Sequence, residues 1–296
     1  MTDGLFTVRA PEAPEAPEAP EAPEAPEATE TPLIVEIPHA GLHVPAHFLP
    51  NLLASARAIG KDADLYVDEL YRTAHLEGAT LLVARTSRYV VDLNRAENDI
   101  DAQSVVGGPE VHSPRGVIWR NTGEGDRALA APLRREAFEE RLREVYRPYH
   151  ARLVELIEQK RTRFGCAVVL AAHSMPSLGR ASHADRANAR ADVVPGTLGR
   201  SSADARFIDL VDSHAREAHF SVAHDDPYKG GFTTQHYGRP AEGVHVVQVE
   251  LARRLYMDEV TFRRRPGRFE DVRHWCTDLV AKLGRAALTF SNAEEG

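Results

Sequence analysis

Three apolar runs in this chain end on residues that bind metals or move protons. Leu33–Ile37 leads into Pro38-His39-Ala40-Gly41. Ala167–Ala172 leads into His173-Ser174-Met175-Pro176, and Val244–Val249 leads into Glu250. Two neutral imidazoles and a carboxylate form the donor set of a catalytic zinc ion, with a fourth position open to water. A further carboxylate beside that water can take its proton. A histidine that follows a strand is, taken singly, more often structural, so spacing alone leaves both readings open. His39, His43 and His47 also recur at intervals of four. Pro45 lies between them and interrupts the helix that would align them, so the cluster reads as loop and surface histidines.

A second segment carries anion-binding chemistry. Ser87-Arg88-Tyr89-Val90-Val91-Asp92-Leu93-Asn94-Arg95 sets arginines on both sides of an apolar run. Arg88 and Arg95 suit bidentate capture of a carboxylate, which lysine does less well. Lysine occurs only at Lys61, Lys160, Lys229 and Lys282, so arginine is the ordinary base here and any one of them is by default a surface residue. Asp226-Pro227-Tyr228-Lys229-Gly230-Gly231 reads either as a plain tight loop or as a turn whose glycines let backbone approach a ligand. The chain lacks a Gly-x-Ser-x-Gly elbow, a Gly-x-x-x-x-Gly-Lys-Ser/Thr loop and a Gly-x-Gly-x-x-Gly turn. Their absence disfavours serine hydrolase and nucleotide chemistry.

These residues need a scaffold that gathers strand ends. Leu33–Ile37, Ala79–Ala84, Tyr89–Leu93, Ala167–Ala172 and Val244–Val249 are predicted as strands from their apolar, β-branched composition. Ala167–Ala172 is almost purely apolar, as a central strand covered on both faces should be. Asp64–Leu76, with Leu65, Leu70 and Ala74 at helical spacing, predicts a helix. Leu133–Arg163 predicts a long amphipathic helix or a pair, with Pro148 marking a break or kink. Ala203–Ala218 and Phe269–Leu288 complete the helices. Strands alternating with long helices predict an α/β fold with a mainly parallel sheet. In such sheets ligands sit beyond the carboxyl ends of the strands.

The charge is unevenly spread. The 296 residues carry 36 basic and 44 acidic side chains, a formal net charge of −8. Residues 1–32 hold eight of the acids and one base, Arg9, because Pro-Glu-Ala recurs from Pro11 to Ala28. That segment has nothing to bury and reads as an extended, solvated, disordered tail. Residues 33–296, a single predicted domain, are close to neutral. The chain therefore lacks the positive field of a general nucleic-acid binder. No apolar run approaches the ~20 residues of a membrane helix. The start, Met1-Thr2-Asp3-Gly4, lacks the basic-then-apolar pattern of a secretory signal. Cys166 and Cys276 are too few for a disulfide framework, so a cytoplasmic setting is expected.

Taken in order, the motifs resemble the N-formylglutamate amidohydrolases, also called N-formylglutamate deformylases. The ordered set is Pro38-His39-Ala40-Gly41, Asp64, Ser87-Arg88 through Asp92-x-Asn94-Arg95, His173-Ser174-x-Pro176, Tyr228-Lys229-Gly230-Gly231 and Glu250. The resemblance spans roughly residues 33–260. It implies a three-layer α/β/α, phosphorylase/hydrolase-like fold with a mainly parallel mixed sheet, and kinship with zinc carboxypeptidases and amino-acid acylases. It implies a Zn2+ enzyme, with other divalent transition metals suited to the same donors. The implied substrate is N-formyl-L-glutamate, cleaved to formate and L-glutamate as in histidine degradation. His39 and His173 are the implied imidazole ligands. Carboxypeptidase relatives place a Glu three residues after the first His, where this chain has Leu42. The third ligand is therefore assigned to Asp64, with Asp62 and Glu69 as rivals. Glu250 resembles the general base. Asn94 and Arg95 resemble a pair that holds substrate carboxylate, and Arg88 a second anionic contact or oxyanion stabiliser. Lys229, with Gly230, would meet the other carboxylate.

Two alternatives stand beside that reading. One is a related metallo-amidohydrolase acting on another N-acyl amino acid, a peptide or a cell-wall bond; the polar segments Glu97–Gly123 and Leu178–Val194 would rim its pocket. The other is a non-catalytic binding protein that uses the Pro-Glu-Ala arm as a tether, for which Leu42 in place of Glu is the best support.

Overall fold

The computed structural model describes residues 4–11, 30–180 and 183–293. Among them, six strands form one sheet in the order β1-β3-β2-β4-β6-β5. The strands are β1 (Phe6–Arg9), β2 (Leu33–Ile37), β3 (Thr80–Ala84), β4 (Ala167–Met175), β5 (Val193–Gly196) and β6 (Val244–Ala252). The central four run parallel, and β1 and β5 close the two edges antiparallel. Every residue of β2, β4 and β6 is buried. Continuous burial needs cover on both faces, which explains why these strands read as unbroken apolar runs.

Helices supply that cover. On one face lie α2 (Val67–Leu70), α5 (Ala205–Glu217) and α7 (Arg268–Ala293), packed on Leu170, Ala172, Val247 and Val249. On the other lie α3 (Arg135–Arg141) and α4 (Arg147–Phe164), packed on Ile34, Val169, Ala171 and Val246. Successive strand residues alternate between faces. The α4 face therefore also receives Glu36, His173, Gln248 and Glu250. The register of β4 on β6 sets His173 directly beside Glu250.

Other elements depart from the expectations in instructive ways. Tyr89–Leu93 forms no strand. Its backbone bonds are a local turn, Val90 N–H to Ser87 O, and a single bond to a distant loop, Asp92 N–H to Val117 O, while β1 occupies the edge of β3. Its side chains are nonetheless buried, so the apolar run recorded burial and not a ladder. The edge strand β1 lies inside the segment expected to be a tail. The Pro-Glu-Ala repeat beyond Pro11 lies outside the described residues. Asp64–Leu76 is not one helix: Tyr66 adopts left-handed backbone (φ 70°), and only α2 and a 3-10 turn at Ala74–Glu77 form. Leu133–Arg163 is a pair joined by a π-turn at Leu142–Tyr146, and Pro148 sits in the first turn of α4, where its missing N–H costs little. Helices α1 (Ala56–Asp62) and α6 (Phe232–Tyr237) and strand β5 were not anticipated. Among the described residues no helix is long and apolar enough to cross a membrane.

A buried histidine ties sheet to helices. His245 of β6 accepts the Asp204 N–H at the start of α5 (3.2 Å) and lies 5.0 Å from the rings of Phe207 and Phe290. Burial pushes its imidazole down to about 4, with Arg206 adding to the fall and Asp204 opposing it. The unfolded chain takes up this proton near pH ~6.5. The neutral ring therefore contributes its full stability above that pH, and the contribution is lost as pH falls toward 4. Denaturant midpoints should drop between pH 7 and pH 4.5, and the drop should be smaller in a His245→Gln protein.

Candidate active site

The carboxyl ends of β2, β4 and β6 open into a cavity of about 590 Å³. His39 follows β2 and His173 belongs to β4. Asp64 comes from the segment between α1 and α2, and its N–H is fixed on the His39 carbonyl at 2.9 Å. All three side chains are buried, and one ligand atom from each lies within 4.8 Å of the others. Asp64 Oδ2 is 3.0 Å from His173 Nδ1 and 3.7 Å from His39 Nδ1. On its far side, His39 Nε2 meets Asp92 Oδ1 at 2.8 Å. That carboxylate fixes the proton of the neutral ring on Nε2. Nδ1 is then an acceptor that faces another acceptor, and it is buried without a hydrogen-bond partner. Two lone pairs held face to face in a dry site are the complement of a cation. The residues therefore fit a divalent metal by donor type, by convergence and by this orphaned nitrogen.

The electrostatics follow from the same contacts. Burial alone would raise the Asp64 carboxyl, but the hydrogen bond with His173, the nearby His39 ring and the charge of Arg88 hold it well below the usual range. Asp92 is held down in the same way, burial being outweighed by His39 and Arg88. Glu250 moves the other way: burial pushes its carboxyl up, and the charge of Asp64 adds to that. Glu250 Oε1 accepts from Gln248 Nε2 at 3.0 Å. The result is one carboxylate locked ionised among the histidines and a second one, beside them, whose proton affinity is raised.

Comparison with known proteins identifies the family. Residues 31–257 match the sequence model of the family described as N-formylglutamate amidohydrolase. An N-formylglutamate deformylase of Pseudomonas putida is 32% identical over 231 residues, covering 77% of this chain and 82% of the relative. One from Pseudomonas aeruginosa is 34% identical over 236 residues, covering 77% and 83%. The crystal structure of N-formylglutamate amidohydrolase from Ralstonia eutropha JMP134 superposes with a TM-score of 0.81 at 30% identity, covering 96% of this chain and 98% of that one. The chain belongs to the N-formylglutamate amidohydrolase family. A gene product of Agrobacterium tumefaciens, at TM-score 0.66 and 19% identity, shares the fold.

The remaining site residues of this amidohydrolase line the cavity, and some of them also brace it. Asn94 braces. Its Oδ1 accepts the Thr233 N–H (2.9 Å), and Nδ2 reaches His173 Nε2 and Gln248 Oε1, each at 3.3 Å. Asn94 also lines the cavity. Gly231 donates its N–H to Gln248 Oε1 (2.9 Å), and a Cβ there would come within 2.2 Å of the Asn94 amide. Gly230 has φ 113°, which a side chain would strain. The glycines thus serve close packing of the Tyr228–Gly231 turn, which brings Lys229 to the cavity wall.

Arg88 lies with its guanidinium 4.9 Å from the Trp119 ring and its Nε 3.7 Å from Asp92 Oδ2. Arg95 is exposed at the rim, where its Nε donates to Arg115 O (3.2 Å). The rival ligands are engaged elsewhere. Asp62 accepts from Tyr89 Oη, Arg180 Nη1 and the Gly123 N–H, which clamps two cavity loops onto α1. Glu69 pairs with Arg264 at the surface. Leu42, where carboxypeptidase relatives place a Glu, is 49% exposed.

Several functional positions escaped the sequence reading: Asp92 as the carboxylate behind His39, Gln248 behind Glu250, and Arg253. Arg253 is buried and donates to Asp64 Oδ1 (3.2 Å), Ser174 Oγ (3.1 Å) and Lys61 O (2.6 Å). Its only sequence signal is its place three residues beyond Glu250, where strand pairing has barely ended. Removing one partner of a buried ion pair costs ~3–5 kcal/mol, because the other is left uncompensated. An Arg253→Met protein should lose unfolding free energy on that scale in urea titrations, and loss below ~1 kcal/mol would show that Asp64 does not depend on it.

Proposed function

We propose that this amidohydrolase is a metal-dependent deformylase that hydrolyses N-formyl-L-glutamate to formate and L-glutamate. The observation that carries the metal is the unpartnered, buried Nδ1 of His39, aimed at Asp64 Oδ2 with Asp92 behind it. His39 Nδ1, Asp64 Oδ2 and His173 Nδ1 would hold the ion, zinc or another divalent transition metal. Such an ion, when bound, lowers the pKa of its water toward ~7 and polarises a carbonyl oxygen.

The chain's own residues do the rest. Glu250 stands beside His173 and takes the proton of the attacking water. It then delivers that proton to the amide nitrogen as the C–N bond breaks, so that formate and a free amine leave. A carboxyl whose proton affinity is raised by burial suits both transfers better than an ordinary exposed one. Gln248 orients it through the 3.0 Å bond to Oε1. Arg88, half-buried beside Trp119, supplies positive charge where the formyl oxygen becomes negative. Arg95 and Lys229, which both line the cavity, attract the amino-acid half of the substrate and so present the formyl group in one orientation. The two buried free cysteines support a reducing, cytoplasmic setting.

Elemental analysis after mild dialysis should find close to one transition-metal ion per chain, and chelators should abolish turnover. A Glu250→Gln protein should keep its metal and lose turnover by roughly 10²- to 10⁴-fold. Near-normal turnover by that variant would remove Glu250 from proton transfer. A metal-free protein that works in the presence of chelator would sink the scheme as a whole.

A further inference from the structure

Two long loops contribute to the cavity lining, and one histidine in them has its tautomer dictated by geometry. His183 lies on the loop between β4 and β5. Its Nδ1 receives the Arg180 backbone N–H at 3.1 Å and Arg190 Nη2 at 2.8 Å. Neither donor can become an acceptor: one is an amide, the other a guanidinium that stays protonated. Nδ1 must therefore be bare, and the ring's only hydrogen sits on Nε2. Among the described residues nothing accepts from that Nε2, and His183 lines the same cavity as Glu250 and the histidine–aspartate triad.

The ring is held firmly. Arg190 is buried and forks onto both oxygens of Asp185 (2.7 and 2.9 Å), and it also reaches Tyr228 Oη and Pro176 O, each at 3.1 Å. Arg180 is tied to Asp62 and to the Lys61 carbonyl. The charged groups around His183 are Arg190, Arg115 and Arg180, with Asp185 as the one acid. Burial together with the three arginines pushes its imidazole down to about 4. Arg115 belongs to the other loop, packs beside Trp119 and lines the cavity too. A neutral N–H donor and a guanidinium thus meet over one wall, where Arg95 and Arg88 add further positive charge around Arg115.

We propose that His183, through its Nε2–H, and Arg115 together bind the side-chain carboxylate of the substrate and set the preference for a dicarboxylic amino acid. This rests on the deformylase reading above. A fixed neutral donor suits this position. It contributes a directional hydrogen bond without adding another positive charge to a wall that already carries several. Both residues are binding and specificity residues, and the proton transfers at Glu250 do not pass through them.

Two measurements test this. In 15N-histidine-labelled protein, long-range proton–nitrogen NMR, assigned through a His183→Gln variant, should show the Nε2–H tautomer unchanged from pH 8 to pH 5. A ring that titrates near pH 6.5 or carries its proton on Nδ1 would overturn the inference. The second compares N-formyl-L-glutamate with N-formyl-L-norvaline, which lacks the side-chain carboxylate. In His183→Ala and Arg115→Met, KM for the glutamate substrate should rise and the kcat/KM ratio between the two substrates should fall, each roughly 10- to 100-fold. His183→Gln, which keeps an N–H donor and its packing volume, should recover part of that ratio. Equal losses on both substrates, or a fall in kcat at constant KM, would refute the assignment. Inactivity of the wild type on N-formyl-L-glutamate would overturn the functional reading itself, whereas wild-type activity with an unchanged ratio in the variants would overturn this inference alone.

Discussion

Everything at the site hangs on the two oxygens of one buried carboxylate. Asp64 turns Oδ2 toward both histidines and Oδ1 toward Arg253. His39 follows β2, His173 is on β4 and Arg253 follows β6, so three strand ends meet on a single side chain that belongs to none of them. A buried charge is tolerated only where its lone pairs are answered. That requirement explains the local backbone. The Asp64 N–H is pinned to the His39 carbonyl, and two residues later Tyr66 takes left-handed backbone so that the chain can turn into α2. The helix expected from Asp64 onward is interrupted for this reason: presenting Asp64 to two histidines and continuing a regular helix are incompatible.

What could be read from the sequence follows from the same physics. The strand ends were legible because a five- to nine-residue apolar run that stops at a polar residue is a strong local signal, and β2, β4 and β6 supply it. His39, His173 and Glu250 came with those ends. Asp64 was not legible from pattern. Asp62 and Asp64 are two residues apart and both buried; one faces Arg180 and Tyr89, the other the histidines. Only the family resemblance chose between them, because their difference lies in what the tertiary fold brings opposite. Tyr89–Leu93 misled because burial and strand pairing leave the same composition. Strand β1 was hidden for the opposite reason, being short, half-buried and next to a low-complexity repeat. Arg253 and His183 show no periodicity at all, since their roles depend on loops folding back over the strand ends.

On the proposed reading, chemistry and selectivity fall on different parts of the molecule. The histidines and Glu250 stand on or directly after strands that are buried on both faces, where packing allows little displacement. The arginine-rich wall stands on the loops that follow β3 and β4. Those loops are not loose: Asp62 clamps Gly123 of the first and Arg180 of the second onto one helix end. A loop braced in this way can hold an anion in register with a reacting centre on the sheet, which a mobile surface loop cannot.

The charge of the site argues independently for an ion. Around the site, Glu36, Asp64, Asp92 and Glu250 are all buried. Glu36 accepts from Tyr149 Oη at 2.8 Å, yet its second oxygen has no partner, and burial pushes its carboxyl up. Against these four carboxyl groups stand Arg88 and Arg253. Without an ion, two routes remain for restoring balance. Glu36 and Glu250 can hold their protons, and His173 can carry one of its own. Burial works against a charged His173, but the Asp64 hydrogen bond and the charges of Glu250 and Asp64 overcome it and raise its proton affinity. A proton on His173 Nδ1 and a metal ion compete for one lone pair. Binding the ion would expel that proton and replace a single positive charge with two, at the point where the negative charge is densest. The same crowding that makes the bare site reluctant to ionise fully is therefore what would give a divalent cation its affinity, and it would leave Glu250, once deprotonated, as a base beside the ion.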